Sequence, residues 1–284
     1  MDPSTKSRRL RELIQAPETL VMPDAFDPLS ARIIENLGFP AVQCSGFSMA
    51  LAAMRPAEAD LGLEANLALT RAIAAAVQVP VMADAEDGFG DADAVAGTVR
   101  AYVAAGLAGI NLEDQVLGQP GPKRVVGREE MSAKIRVARA AAREAGNADL
   151  VINGRTDALT VGTDRQTGLR EAAARANAYL AAGADLAFVV GVATMDEVRF
   201  LMRDIHGPVS IAAGMPYNLQ TLPLAALKAA GVARVSLPVV AVFAAVRAMS
   251  AALQSIRDTG DVADLMAHNR LCGMEDVAAL LTRS

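Results

Sequence analysis

Short apolar runs alternate along the chain with longer segments of helical periodicity. Ala-rich amphipathic stretches close on Gly38, Gly106, Gly183 and Gly231, and an apolar run follows two or three residues later, at 41–44, 108–112, 186–190 and 233–237. Glycine ends a helix in the left-handed conformation without steric cost, and a continuously apolar run suits a strand buried on both faces. Four more such runs, at 20–23, 79–83, 150–153 and 208–212, follow segments that end differently. Between the runs, helices are predicted over about 28–37, 64–77, 91–105, 129–145, 168–182, 194–205, 219–230 and 239–256.

Eight strands alternating with eight helices, every connection long enough for a parallel crossover, predict an α/β fold of the TIM type, a (β/α)8 barrel. An open doubly wound sheet is the alternative, but no G-x-G-x-x-G follows the first strand. Extra helices are predicted at 5–15 and 261–282. A length of 284 residues fits two domains or one barrel; the strand count favours a single domain, 1–284, with the barrel at about 18–257 and a helical extension at 258–284.

Composition mainly excludes. With 52% hydrophobic and 21% charged residues and a net charge of −5, the chain is expected to be globular and has no basic field for nucleic acid. The uncharged runs 207–227 and 235–246 are broken by proline or too short to span a bilayer, and residues 1–13 lack a signal-peptide core, so a cytoplasmic location without membrane contact is expected. Cys44 and Cys272 are read as inert thiols, and His206 and His268 as structural. Chemistry must then come from carboxylates, Arg, Lys and backbone.

Barrel active sites form where strands end. The first strand delivers Asp24, Phe26 and Asp27, the second Ser45, Gly46 and Phe47, the third Asp84, Glu86 and Asp87, the fourth Glu113 and Asp114, and the fifth Arg155 and Asp157. Acids converging from adjacent strands repel unless a cation lies between them, and an all-oxygen set favours Mg²⁺, with Mn²⁺ as the alternative. Asp84, Glu86 and Glu113 are the candidate ligands; the competing reading is solvated loop acids. Arg155 either grips a substrate carboxylate or phosphonate or pairs with these acids. The irregular stretch 116–128, carrying Lys123 and Arg124, reads as a mobile lid or as a charged surface loop.

Five motifs in order carry a family resemblance over about 20–253: Pro23-Asp24-Ala25-Phe26-Asp27-Pro28-Leu29-Ser30-Ala31, Ser45-Gly46-Phe47, Asp84-Ala85-Glu86-Asp87-Gly88-Phe89-Gly90, Leu112-Glu113-Asp114-Gln115 and Arg155-Thr156-Asp157-Ala158. The chain resembles the isocitrate lyase/phosphoenolpyruvate mutase superfamily, in its methylisocitrate lyase, phosphonopyruvate and oxaloacetate-acting branch. The resemblance implies a Mg²⁺ site with Asp84 as direct ligand and Glu86 and Glu113 holding its waters. It implies substrate binding by Phe26, Ser45, Gly46, Phe47, Asp84 and Arg155, and a further active-site aspartate at Asp60 in Ala59-Asp60-Leu61-Gly62. It also implies a homotetramer that exchanges C-terminal helices.

The departures shape the expected activity. Lyase members carry Lys-Lys/Arg-Cys-Gly-His in the lid, with the Cys as acid, where this chain has Lys123-Arg124-Val125-Val126-Gly127; their Glu after strand 6 is missing from Val189-Val190-Gly191; and the Asn-Ser pattern of the phosphonomutases is absent. The expectation is a Mg²⁺-dependent lyase cleaving a C–C bond of a small anionic 2-oxo or 2-hydroxy di- or tricarboxylate through a pyruvate-enolate-like intermediate. Decarboxylation or hydrolysis of an oxaloacetate-like acid is favoured over methylisocitrate cleavage, because departing CO₂ needs no acid and the enolate can take its proton from water or Lys123. C–P chemistry, as a phosphonomutase or phosphonopyruvate hydrolase, and a non-catalytic metabolite-binding role are the alternatives.

Overall fold

The computed structural model describes residues 3–162, 164–267 and 271–282. Its strands are β1 (Leu20–Ala25), β2 (Val42–Cys44), β3 (Val81–Asp84), β4 (Gly109–Glu113), β5 (Val151–Thr156), β6 (Leu186–Val189), β7 (Val209–Ala212) and β8 (Arg234–Leu237). Each pairs in parallel with the next, and β8 closes on β1 with Leu20 opposite Arg234. The barrel expected from the sequence is the fold observed.

The helices are α1 (Pro3–Gln15), α2 (Pro28–Asn36), α3 (Gly46–Ala52), α4 (Gly62–Ala76), α5 (Ala92–Ala104), α6 (Arg128–Glu144), α7 (Arg165–Ala182), α8 (Met195–Asp204), α9 (Leu224–Ala229), α10 (Val240–Thr259), α11 (Ala263–Ala267) and α12 (Met274–Leu281). Gly183 closes α7 at φ 111°, the left-handed ending expected of the helix-glycine-strand repeat.

Three elements differ from the sequence expectation. α3 and a 3-10 turn at Glu58–Asp60 occupy a stretch to which the sequence pattern assigns no element, being too short to show a period. The predicted helix 219–230 is helical only as α9, behind Pro223 at its N-cap. The predicted terminal helix 261–282 is two helices, the second starting after Gly273. Strand ends also run past the apolar stretches: β3 reaches Asp84, β4 Glu113 and β5 Thr156, because ladder pairing continues after the apolar run stops. That extension brings the acids to the mouth of the barrel.

The bottom of the barrel is closed by α1, whose Leu10 and Ile14 pack with Leu20, Met22, Met82, Val151 and Leu186. Higher in the barrel sits a cation. Arg234 is fully buried and donates to Gln43 Oε1 (2.7 Å) and Ser210 Oγ (2.9 Å). Burial lowers its pKa to about 10, against the raising effect of Asp24 and Asp84. α12 lies on α2 of its own chain, where Arg32 Nε donates to the Leu280 carbonyl (3.0 Å) and Asn36 Nδ2 to that of Ala279 (3.2 Å).

By length and composition, α10 could cross a bilayer; it follows β8 as the eighth barrel helix and exposes Phe243, Val246, Met249 and Leu253. Cys44 is buried and Cys272 exposed, His206 is exposed, and His268 lies outside the described residues.

Candidate active site

The acidic cluster is built by an unusual turn after β3. Glu86 and Phe89 hold φ of 50° and 59°, flanking Gly88 at 89°. Left-handed conformations in non-glycine residues cost on the order of 1 kcal/mol each and persist where surrounding structure imposes them. Here the Glu86 carbonyl accepts the Glu113 N–H (2.9 Å) and the Asn111 carbonyl accepts that of Ala85 (2.9 Å). The turn is thereby stitched to β4, with the Glu86 side chain inside, 1% of the residue exposed.

Asp84 is buried; its Oδ2 accepts the Gly46 N–H (3.0 Å), and its Oδ1 has no partner. Neither oxygen of Glu86 has a partner. Glu113 makes an ion pair with Arg155 Nη1 (2.5 Å) but accepts no aligned hydrogen bond. Glu58, from the 3-10 turn, completes the group: one oxygen each of Glu58, Glu86 and Glu113 lie within 4.8 Å of one another. Asp84 stands beside this trio, with its Oδ2 and the Glu86 Oε1 both facing Gly46.

Burial pushes the Glu86 and Glu113 carboxyls well above the usual range; Asp84 and Glu58 add to the effect on Glu86, while Arg155 pulls Glu113 back down. Burial raises Asp84 as well. Buried carboxylate oxygens without donors are costly, and a hard divalent cation is the occupant that satisfies several at once. The donor set fits Mg²⁺ or Mn²⁺.

Gly46 sets the packing limit. A Cβ there would lie 1.9 Å from Glu86 Oε1 and 3.3 Å from Asp84 Oδ2. Gly46→Ala must therefore push the Glu86 carboxylate out of the cluster, and is expected to weaken Mg²⁺ binding about 10–100-fold, the usual range for displaced metal-site partners. Titration calorimetry checks it; unchanged affinity would mean that Glu86 does not serve the metal.

The cations are held by acids. Arg155 Nε and Nη2 donate to Asp157 Oδ2 (2.8 Å) and Oδ1 (3.3 Å), and Lys123 Nζ pairs with the same carboxylate. Burial alone would raise the Asp157 carboxyl, but Arg155 and Lys123 together hold it below its usual range. Of the two sequence readings of Arg155, the structure shows the pairing with acids; the guanidinium also lines the cavity.

The loop carrying Lys123 is anchored at both ends, with the Val116 N–H on the Arg124 carbonyl (2.9 Å) and the Val126 N–H on that of Asp114 (2.8 Å). Asp114 is structural. Fully buried, its carboxylate accepts from Thr156 Oγ1 (2.7 Å), the Asp157 N–H (2.9 Å), Tyr179 OH (2.7 Å) and Arg175 Nη1 (3.1 Å). Asp114→Ala takes the acceptor from the buried Thr156 and Tyr179 hydroxyls, while Arg175 keeps Glu171 and the Val126 carbonyl, a loss of about 3 kcal/mol and on the order of 5–10 °C in Tm, measurable by calorimetric melting. A shift below about 2 °C would contradict that role.

The cavity at the mouth has a volume of about 200 Å³. That lies below the roughly 300–1,000 Å³ of drug-sized sites and suits a small acid. Asp24, Ser45, Phe47, Asp84 and Arg155 are in its wall. Ser45 caps α3 by accepting the Ser48 N–H (3.2 Å), and Phe47 packs edge-on against Phe243 at 6.4 Å. Phe26 is absent from the wall, and its N–H turns to Ser30 Oγ (3.1 Å) in the cap of α2. Asp24 takes that place, accepting from Ser236 Oγ (2.9 Å), with its pKa raised to about 7 by burial against the lowering effects of Arg234 and Ser236.

Asp60 is exposed and folds onto its own turn, its Oδ2 accepting the Ala57 N–H (3.1 Å), whereas Glu58, two residues earlier, faces the cavity. Glu58→Gln is expected to lower kcat/KM at least tenfold, and Asp60→Asn less than threefold, in initial-rate assays of each variant. The opposite ranking would return the role to Asp60. Glu58, Asn111 and the apolar wall from β6 to β8 were missed by motif reading; an acid on a three-residue turn carries no periodic signal.

The family described as phosphoenolpyruvate phosphomutase matches the chain over residues 10–257. The 2,3-dimethylmalate lyase of Eubacterium barkeri is 34% identical over 283 residues, covering 95% of this chain and 94% of that protein. The structure of oxaloacetate acetylhydrolase with the product oxalate is similar at TM-score 0.87 and 26% identity, covering 99% of this chain and 95% of that one. Phosphonopyruvate hydrolase, solved with oxalate and Mg²⁺, is similar at TM-score 0.86 and 29% identity, covering 99% and 95%. The chain belongs to the phosphoenolpyruvate phosphomutase family, within the isocitrate lyase/phosphoenolpyruvate mutase superfamily, and is an enzyme.

Proposed function

We propose that the protein is a Mg²⁺-dependent lyase that breaks the C–C bond beta to the carbonyl of a small 2-oxo or 2-hydroxy acid, with oxaloacetate-like decarboxylation or hydrolysis as its reaction. One observation carries this reading: unpartnered buried oxygens of Asp84, Glu86 and Glu113 stand beside the arginine that lines a cavity of small-acid size. Asp84, Glu86 and Glu113, joined by Glu58, would hold Mg²⁺ or Mn²⁺, which stabilises negative charge developing on the substrate's carbonyl oxygen.

The chain's own groups do the rest. Arg155, fixed by Asp157 and Glu113, is oriented before substrate arrives and offers its charge without reorganisation. Ser45 and Phe47 bound the carboxylate end, while the Gly46 N–H is committed to Asp84. With valines where the lyases place the lid Cys and the β6 Glu, neither position supplies an acid to protonate a departing carbanion. Loss of CO₂ avoids that need, and the enolate takes a proton from water or from Lys123, which would leave Asp157 to deliver it. A role for Asp60 would require its turn to reorient. A cytoplasmic homotetramer of one-domain chains that exchange C-terminal helices completes the proposal; α12 would then leave α2 of its own chain for a neighbour's.

Parallel assays of 2-oxo acid release from oxaloacetate, methylisocitrate and phosphonopyruvate, with Mg²⁺ and with chelator, test the reading. Chelator-sensitive turnover of a carbon acid is expected. Turnover of phosphonopyruvate alone would transfer the site to C–P chemistry, a second reading supported by the likeness to phosphonopyruvate hydrolase; metal-dependent binding without turnover would make it a sensor.

A further inference from the structure

The cavity wall carries three acids, Asp24, Glu58 and Asp84, and few hydrogen-bond donors to offer an anion. Several of those donors are already committed. Ser236 Oγ donates to Asp24 (2.9 Å), and the Arg155 guanidinium serves Asp157 and Glu113. Tyr217, also in the wall, is half-exposed, and its hydroxyl lies against the Gly191 backbone. Ser45 keeps its hydroxyl proton, since its Oγ accepts from the Ser48 N–H. Deeper in the barrel, the remaining donor is the side-chain amide of Asn111, a residue only 4% exposed.

Neighbouring strands hold that amide in one orientation. Asn111 stands two residues before Glu113 on β4, on the same inward face, in ladder register with Asp84 of β3 and Asn153 of β5. Asn153 Nδ2 donates to its Oδ1 at 2.7 Å. An amide that accepts on its oxygen turns its nitrogen away from that donor. Here the nitrogen has no partner among the described residues and, unlike the Asn153 Oδ1, is not shut off from solvent. Turning both amides over would bury an unpaired Asn153 N–H₂ in exchange for the unpaired oxygen. Orphaned donors are the rarer defect in protein interiors, which favours the pair as it stands.

We infer that Asn111 is a substrate-binding residue whose Nδ2 donates to an oxygen of the substrate's metal-chelating end, with Asn153 as its positioning residue. Register sets Asn111 beside Asp84, so an oxygen chelated at that ligand comes within reach of the amide. A neutral donor suits the place, because it strengthens the hold on an anion without competing with the metal for the acids. The inference rests on the proposed reading of the cavity as the seat of a chelated 2-oxo or 2-hydroxy carboxylate.

Titration calorimetry with oxalate, at saturating Mg²⁺, tests it on the unaltered protein, Asn111→Leu, Asn153→Leu and the double variant. Leucine is close to asparagine in size and has no donor. Asn111→Leu should weaken oxalate binding about 10–100-fold, the range for a hydrogen bond to a charged group, with Mg²⁺ affinity in the absence of oxalate held within about threefold. Asn153→Leu leaves the Asn111 amide free to turn and should weaken oxalate about three- to tenfold. The double variant should bind no worse than Asn111→Leu, because the positioning residue then has nothing to position. Asn111→Ala is the second variant, should leucine prevent cooperative melting. Oxalate affinity unchanged in the Asn111 variants overturns the inference, as does an equal loss of Mg²⁺ affinity, which would place the effect on the metal. Additive losses in the double variant overturn the positioning role of Asn153.

Failure of the lyase reading looks different. Weakened oxalate binding in the variants of a protein that turns over no carbon acid removes that reading and leaves Asn111 as a binding residue. Turnover of a carbon acid, with full oxalate affinity in the Asn111 variants, removes this inference alone. No oxalate bound by the unaltered protein removes both.

Discussion

Asp84→Asn is expected to lower Mg²⁺-dependent kcat/KM by at least about a thousandfold while leaving the metal-free fold no less stable. The substitution keeps the size of the side chain and an oxygen for the Gly46 N–H, but it puts an amide N–H₂ where the unpartnered Oδ1 now faces the cluster. A donor aimed at the cation position removes both charge and ligand, and losing a metal's Lewis acidity forfeits several kcal/mol of transition-state stabilisation. In the metal-free chain the same change removes one of several like charges, so the melting temperature should stay level or rise. Initial rates and calorimetric melting on one preparation check both halves. A variant within tenfold of the parent rate would show that Asp84 is not a ligand, and a collapsed fold would show that its bond to Gly46 matters more than its charge.

Rising pH should destabilise the metal-free protein, and Mg²⁺ should reverse the effect. Asp24 is raised to about 7 by burial, and Asp84, Glu58, Glu86 and Glu113 are raised too. Between the ordinary carboxylate range near 4 and these raised values, the folded chain binds more protons than the unfolded one. Stability therefore falls as pH climbs through that window, flattening for Asp24 once its folded value near 7 is passed. Asp157 acts oppositely, because Arg155 and Lys123 lower it; its contribution is present above the ordinary range and is lost at acid pH.

Mg²⁺ takes the place of those protons, so its stabilisation must grow with pH. At pH 8 and a hundredfold excess over Kd it should contribute about 2.7 kcal/mol. In a chain of this size that is on the order of 5 °C in Tm, and the shift at pH 5 should be much smaller. Scanning calorimetry with Mg²⁺ and with chelator, at both pH values, checks it. A shift that is equal at both, or larger at pH 5, would mean that the buried carboxyls do not receive the ion.

The barrel was legible because its strands are largely apolar and four of the helical segments close on glycine just before a strand, the first a local consequence of burial on two faces. The acids of β3 and β4 were legible for a related reason: Asp84, Glu86 and Glu113 directly follow or end such runs, where a polar side chain must face the mouth. What local pattern could not reveal depends on turn geometry. Asp60 and Glu58 lie two residues apart on a three-residue turn, and a small rotation decides which one enters the cavity. Phe26 and Asp24 differ similarly; Asp24 is on the strand with its side chain held by Ser236, whereas Phe26 has left it. The buried Arg234, reading as an ordinary charge in Ala233-Arg234-Val235, becomes meaningful only once closure of β8 on β1 brings Gln43 and Ser210 around it.

Titration of Mg²⁺ into chelator-treated protein, with and without oxalate, tests most directly whether the carboxylate cluster is a metal centre. The expected result is one ion bound per chain with release of protons from the raised carboxyls, and oxalate binding that requires the ion. Oxalate bound equally well in chelator, or no Mg²⁺ bound at millimolar concentration, would contradict it.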